Sequence, residues 1–198
     1  MSKAIWSVIF IAAVAGCSSG VPADSSGTKG EEREGIVQRM FADLSANSSA
    51  AEMWKEIADR TILVDVKDMG NAVAAFSHDG GRERLALNPR YVRLATESDA
   101  KRVRVETYLI HESVHHRQYH DHPDAPEFPS CADWWLDERE AYAEQCRFAA
   151  TVGASRSLKF CMEFGTSSFA PGMLDLLFQR DPRGPSCAGE RQILEALP

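Results

Sequence analysis

Two hydrophobic rhythms alternate along this chain. Apolar positions recur at helical spacing in Glu34–Leu44, where Ile36, Val37, Met40, Phe41 and Leu44 share a face, and again in Ala50–Ala58 with Met53, Trp54 and Ile57. The texture then turns β-like. Thr61–Val66, Ala72–Phe76 and Arg84–Asn88 are short apolar runs, and the last two flank Ser77-His78-Asp79-Gly80-Gly81, whose Asp-Gly pair favours a hairpin. Asn88-Pro89 ends the sheet. Ser98-Asp99 can cap a helix reaching to about Gln118, and a Pro-containing loop over 121–132 leads into a second helix at Trp134–Ala149. Helical pieces follow at Arg156–Phe164 and Pro171–Gln179, then a turn at Asp181–Pro185 and a short last helix at Glu190–Ala196. The pattern predicts one α+β domain over residues 35–198, mostly helical, with a small antiparallel sheet before its central helix.

The N-terminus has another character. Lys3 precedes the apolar stretch Ala4–Gly16, which is too short to span a bilayer comfortably and has the n- and h-regions of a secretory signal. It ends Val14-Ala15-Gly16-Cys17, which resembles a bacterial lipobox. That resemblance implies a signal peptide over 1–16, lipid on the Cys17 thiol, and, with Ser18 following, a place on the outer membrane facing the periplasm. Residues 17–34 are rich in Ser, Gly and charge, cannot bury apolar surface, and read as a flexible tether.

Cysteine usage fits export. The chain has five Cys; with Cys17 committed to lipid, Cys131, Cys146, Cys161 and Cys187 remain, and an oxidising envelope favours two disulfides. Three connectivities are open. Gly153 lies between two helical segments with Cys146 and Cys161 at matching distances on either side, so a helical hairpin would bring these two together and leave Cys131 for Cys187. Without a C-x-x-C pair, zinc binding by these four is disfavoured. The net charge is −7 and Lys and Arg form no block, which argues against a nucleic-acid partner.

The chemistry concentrates in His111-Glu112-Ser113-Val114-His115. On a helix the two imidazoles lie one turn apart on one face and can share a Zn²⁺, while Glu112 can take a proton from a zinc-bound water. A third ligand is needed. At about 100° per residue, Trp134, Trp135, Ala141, Tyr142, Gln145 and Phe148 fall within roughly 80° of Glu138, whereas the other acids of that helix fall outside the arc. Glu138 thus sits at the centre of an apolar face, a costly position unless the carboxylate is paired or binds a metal.

The H-E-x-x-H sequence followed by Glu138-x-x-Ala141-Tyr142 resembles the gluzincin zinc metallopeptidases, including the Ste24/HtpX-like and ImmA/IrrE-like groups. The resemblance covers the two-helix stretch alone. It implies a zincin-like fold with His111, His115 and Glu138 as metal ligands and Glu112 as catalytic base. Tyr142 stands where those families often carry an Asp that orients a ligating His. Asp121 is a competing third ligand on the metzincin pattern H-E-x-x-H-x-x-G-x-x-[HD], although Gln118 replaces its Gly; Glu140 is a further alternative. His116 points away from the His111/His115 face, and His116, His120 and His122 are expected to face solvent or lie in the loop. Tyr142, Tyr119 and His78 are open alternatives for an oxyanion stabiliser.

The expectation is a zinc-dependent metallopeptidase of the bacterial envelope, held to the membrane through its N-terminal lipid and acting on peptide or protein substrates. A non-catalytic zincin-like lipoprotein that binds a protein partner, and a zinc amidase acting on cell-wall peptides, are the alternatives.

Overall fold

The computed structural model describes residues 5–10, 27–50, 54, 55, 57, 62–70, 72–79, 82–122, 130–163, 171–181 and 183–197. In chain order the elements are β1 (Ile5–Phe10), α1 (Gly27–Ala46), β2 (Ile62–Val66), β3 (Ala72–Asp79), β4 (Arg82–Leu87), α2 (Pro89–Glu97), α3 (Asp99–Asp121), α4 (Cys131–Thr151), a 3₁₀ turn (Ser155–Ser157), α5 (Lys159–Glu163), α6 (Pro171–Arg180), α7 (Gly184–Cys187) and, after a second 3₁₀ turn, α8 (Arg191–Glu195). The described residues are mostly helical with one small sheet.

The sheet is mixed rather than antiparallel. β3 and β4 form the expected hairpin, in register from Ala74↔Leu87 to Asp79↔Arg82. β2, however, pairs with β4 in parallel, giving the order β1-β3-β4-β2. The reason is the crossover after β2, which passes the end of β4 so that β4 lies between β2 and β3. Lys67 N donates to Leu87 O at 3.0 Å on one side of β4, and Asn88 N donates to Val73 O at 2.9 Å on the other. Asn88 secures the crossing: its Nδ2 donates to Gly70 O at 3.1 Å and Ala72 O at 2.9 Å, while its Oδ1 accepts from Arg90 N at 3.0 Å and caps α2. Gly70 takes a φ of +63°, and Asp68 Oδ1 accepts from its N–H at 2.9 Å.

β1 comes from the stretch read as a signal peptide and pairs antiparallel along the side of β3 turned from β4, with Ile5 opposite His78 and Ser7 opposite Phe76. Residues 1–4 and 11–26, Cys17 among them, lie outside the described residues, as do 123–129 of the proline-containing loop. Among the described residues no helix is long and apolar enough to cross a membrane. α1 starts at Gly27, so residues 27–34, assigned by composition to a tether, are helical.

Two apolar clusters flank α3 and α4. One packs Val37, Met40 and Leu44 of α1 with Trp54, Leu85 and Leu109 beneath the sheet; the other gathers Trp134, Trp135, Met173, Leu174, Leu177 and Leu194 around the start of α4. Two disulfides tie the C-terminal helices to α4. Cys146–Cys161 spans 15 positions and Cys131–Cys187 spans 56. The shorter bridge closes over the end of α4, where Gly153 at φ +71° donates to Ala150 O at 3.2 Å and Ala154 N donates to Ala149 O at 2.7 Å. This pair of hydrogen bonds around a left-handed glycine reverses the chain and delivers Cys161 to Cys146.

Candidate metal centre

Two well-capped helices carry the centre. Ser98 Oγ accepts from Lys101 N at 3.3 Å at the start of α3. Ser130 opens α4 with a reciprocal box, its Oγ accepting from Asp133 N at 3.1 Å and its N–H donating to Asp133 Oδ2 at 3.3 Å. α3 lies between the sheet and α4 and shows each a different polar face.

Toward α4, His111, His115 and Glu138 converge. His111 Nε2 is 3.0 Å from His115 Nε2 and 3.5 Å from Glu138 Oε2; His115 Nε2 is 3.4 Å from Glu138 Oε1. These donors form a group that could hold a metal ion. Zinc bonds of 2.0–2.1 Å to N and O donors in a tetrahedron place donors about 3.3 Å apart, so the two imidazoles stand near coordination spacing from each other and each from one oxygen of Glu138.

His115 is locked by Gln118. Its Nδ1 lies 2.8 Å from Gln118 Oε1, while Gln118 Nε2 donates to Asp137 O at 3.1 Å and Glu140 Oε2 at 2.8 Å. Two acceptors fix the NH₂ end of the amide, so its oxygen faces the ring and Nδ1 carries the proton. Nε2 is left with its lone pair toward Glu138. On the other imidazole, Gln145 stands by His111 and raises its pKa, but burial is the larger influence and takes it down to about 3. Burial likewise takes His115 down to about 4 against the pull of Glu138. Both rings are thus neutral, the state in which imidazole ligates. Tyr142 meets His111 edge-on with ring centroids 4.3 Å apart, so it packs against the ligand pair through its ring.

Glu112 faces the sheet side and is fully buried. Its Oε2 accepts from Phe76 N of β3 at 3.1 Å, and its Oε1 is a buried oxygen without a hydrogen-bond partner. Burial, then Glu138 and then Asp181 hold its pKa well above the ordinary carboxylate range. Glu138 is also raised by burial, against the pull of His115. Asp181, raised to about 7 by burial and then by Glu138, completes a set of three buried acids. Glu138 makes ionisation of Glu112 and Asp181 harder, and Asp181 that of Glu112, which a divalent cation would relieve.

The sequence-based alternatives fall elsewhere. Asp121 is exposed and ends α3; the metzincin turn needs the helix to break at position 118, and Gln118 carries it through another turn. Glu140 is exposed and bonded to Arg117 and Gln118. His116 does not face solvent but is fully buried, because the face of α3 turned from His111 packs on the sheet. His120 is half-buried against Glu83, while His122 is exposed. Tyr119 and His78, open alternatives for oxyanion binding, stack on each other with centroids 3.6 Å apart.

Sequence reasoning missed Gln118, Gln145 and Asp181. Gln145 shares the arc centred on Glu138, a signal that was legible. Asp181 before Pro182 reads as a turn residue, and its Oδ1 does accept from Arg183 N at 2.7 Å; nothing local announces its burial. Comparison with protein-family models, curated proteins and solved structures finds no match for the chain.

Proposed function

We propose that this chain is a zinc-dependent metallopeptidase of the bacterial envelope, with His111, His115 and Glu138 as ligands and Glu112 as general base. The observation that carries the reading is the convergence of two neutral imidazoles, their Nε2 atoms 3.0 Å apart, on one buried carboxylate, with Glu138 Oε2 3.5 Å from His111 and Glu138 Oε1 3.4 Å from His115. Three protein ligands leave a fourth position open, as hydrolytic zinc sites require. When bound, Zn²⁺ acidifies water, polarises the scissile carbonyl and opposes the upward pKa shifts of the neighbouring acids. Glu112 is held through Oε2 by β3, and its unpartnered Oε1 takes the proton of the attacking water and returns it to the departing amine. Gln118 holds the His115 imidazole.

An extended peptide would lie along the edge of β3, whose Phe76 N–H anchors the base. The antiparallel seating of Ile5–Phe10 on that edge supports its capacity to take a strand. Two disulfides favour an oxidising compartment, consistent with an exported lipoprotein anchored at Cys17 in the outer membrane. The zincin-like fold belongs to the same proposal and rests on the two-helix motif.

The test is zinc content and peptidase activity of the full chain, beside Glu138→Gln and Glu112→Gln. The reading expects this centre's zinc to be lost in Glu138→Gln. It expects zinc to be kept in Glu112→Gln while chelator-sensitive cleavage disappears. A folded wild type that takes no zinc at this centre would refute it.

A further inference from the structure

The sheet side of α3 holds a second convergence of imidazoles, sharing no residue with the first. His78 comes from the end of β3, Glu83 from β4, and His116 and His120 from α3. We propose that His78, Glu83 and His120 form a second divalent-cation site of the type that takes Zn²⁺, with His116 holding the other oxygen of Glu83.

Glu83 Oε1 lies 2.7 Å from His120 Nε2 and 3.9 Å from His78 Nδ1, and all three donor atoms fall within 4.8 Å of one another. These two separations fall on either side of the spacing of about 3.3 Å that zinc imposes on neighbouring ligands, so small side-chain adjustments suffice. His116 Nε2 lies 3.0 Å from Glu83 Oε2 and turns the carboxylate so that Oε1 faces the other two imidazoles. This is the second-layer histidine–carboxylate support that metal sites use to orient a ligand. Tyr119 lies flat on His78 at an interplanar angle of 14°, and His116 packs on Phe76 with centroids 4.8 Å apart. His78 and His116 are buried, so much of the ordering entropy of the site is met by folding itself. Two imidazoles and one carboxylate suit zinc or a neighbouring transition metal rather than calcium or magnesium, which prefer oxygen.

The site joins β3, β4 and α3 at one point. His78 is two residues beyond Phe76, whose N–H holds Glu112. A cation here would fix the strand that positions Glu112, so the second site would serve the first without entering its chemistry.

Metal stoichiometry of the full chain decides the matter, measured after zinc loading and desalting for wild type, His120→Asn and Glu138→Gln, with circular dichroism to establish folding. The expected result is two zinc ions per wild-type chain and one in each variant, with His120→Asn keeping the ion that Glu138→Gln loses. One ion in wild type, retained by His120→Asn and lost by Glu138→Gln, would show a metal-free histidine–carboxylate network and overturn the second site. One ion lost by His120→Asn and retained by Glu138→Gln would uphold the second site and sink the proposed catalytic centre. No ion in a folded wild type would overturn both. Should His120→Asn fail to fold, cobalt titration of the unmodified chain decides: a second saturating equivalent with visible bands of its own supports the site, and saturation at one equivalent with Glu138→Gln taking none removes it.

Discussion

Replacing Gln118 by Ala tests whether His115 is held for metal binding by the next helix. Gln118 gives His115 Nδ1 its acceptor at 2.8 Å and is itself held by Asp137 O and Glu140 Oε2. The substitution frees the imidazole to rotate and removes the partner that fixes the proton on Nδ1. Loss of such a supporting residue typically weakens metal binding 10–100-fold, about 1.4–2.8 kcal/mol. The fold itself should lose less, about 1 kcal/mol, because the three bonds are near the surface and water replaces some of them. A competition titration against a chromophoric chelator reads the zinc affinity, and thermal unfolding of the metal-free protein reads the fold. Gln118→Glu keeps an acceptor for His115 but gives up both donated bonds and faces Glu140, so its affinity should fall between wild type and Gln118→Ala. Should Gln118→Ala bind zinc within threefold of wild type while His115→Ala loses it, the ring would be held by something other than Gln118. Should both variants bind as wild type does, His115 is no ligand.

Three further outcomes follow from the packing. Glu106 is buried beside Arg102 Nε at 3.4 Å, and burial followed by Asp43 raises its pKa from 4.5 to about 7. The folded chain therefore keeps this proton where the unfolded chain gives it up; the associated stability is full below pH 4.5 and is lost as the pH rises to 7. Against Glu106→Gln, wild type should lose on the order of 3 kcal/mol between pH 4 and pH 8 in urea titrations, and a constant difference would contradict the assignment. In Gly184→Ala the new Cβ would fall 2.2 Å from Leu177 O and 2.5 Å from Phe178 Cα, so α6 and α7 must part at a cost of about 1–3 kcal/mol or more; a melting temperature equal to wild type would show that the close approach is dispensable. Removing Cys131–Cys187, with its 56-residue separation, should lower the guanidinium midpoint more than removing Cys146–Cys161 at 15. Chain entropy puts the two losses near 4 and 3 kcal/mol, and the reverse order would point to packing rather than loop length.

The geometry of the first centre was legible because most of it is helical. Spacing of four puts His111 and His115 on one face, and the apolar arc of α4 points Glu138 inward, whatever the rest of the chain does. The bridge across Gly153 was legible for the same reason, since a helical hairpin sets which positions face each other. Periodicity says which way a residue points but not what it meets. It set His116 away from the ligand pair but could not tell that β3 and β4 wait there. His116 and His120 meet Glu83 across 33 and 37 positions of chain, and His78 of the neighbouring strand reaches them only because the hairpin extends through Asp79. The exposed place of Asp121, the parallel seating of β2 and the burial of Asp181 were likewise decided by tertiary structure. Each depends on a partner brought from another element: the α4 atoms that hold Gln118, the crossover pinned by Asn88, and the close approach of α6 and α7 at Gly184. Local sequence determined the faces of the helices; packing determined which faces meet, because contact energy between distant segments has no signature in the periodicity of either.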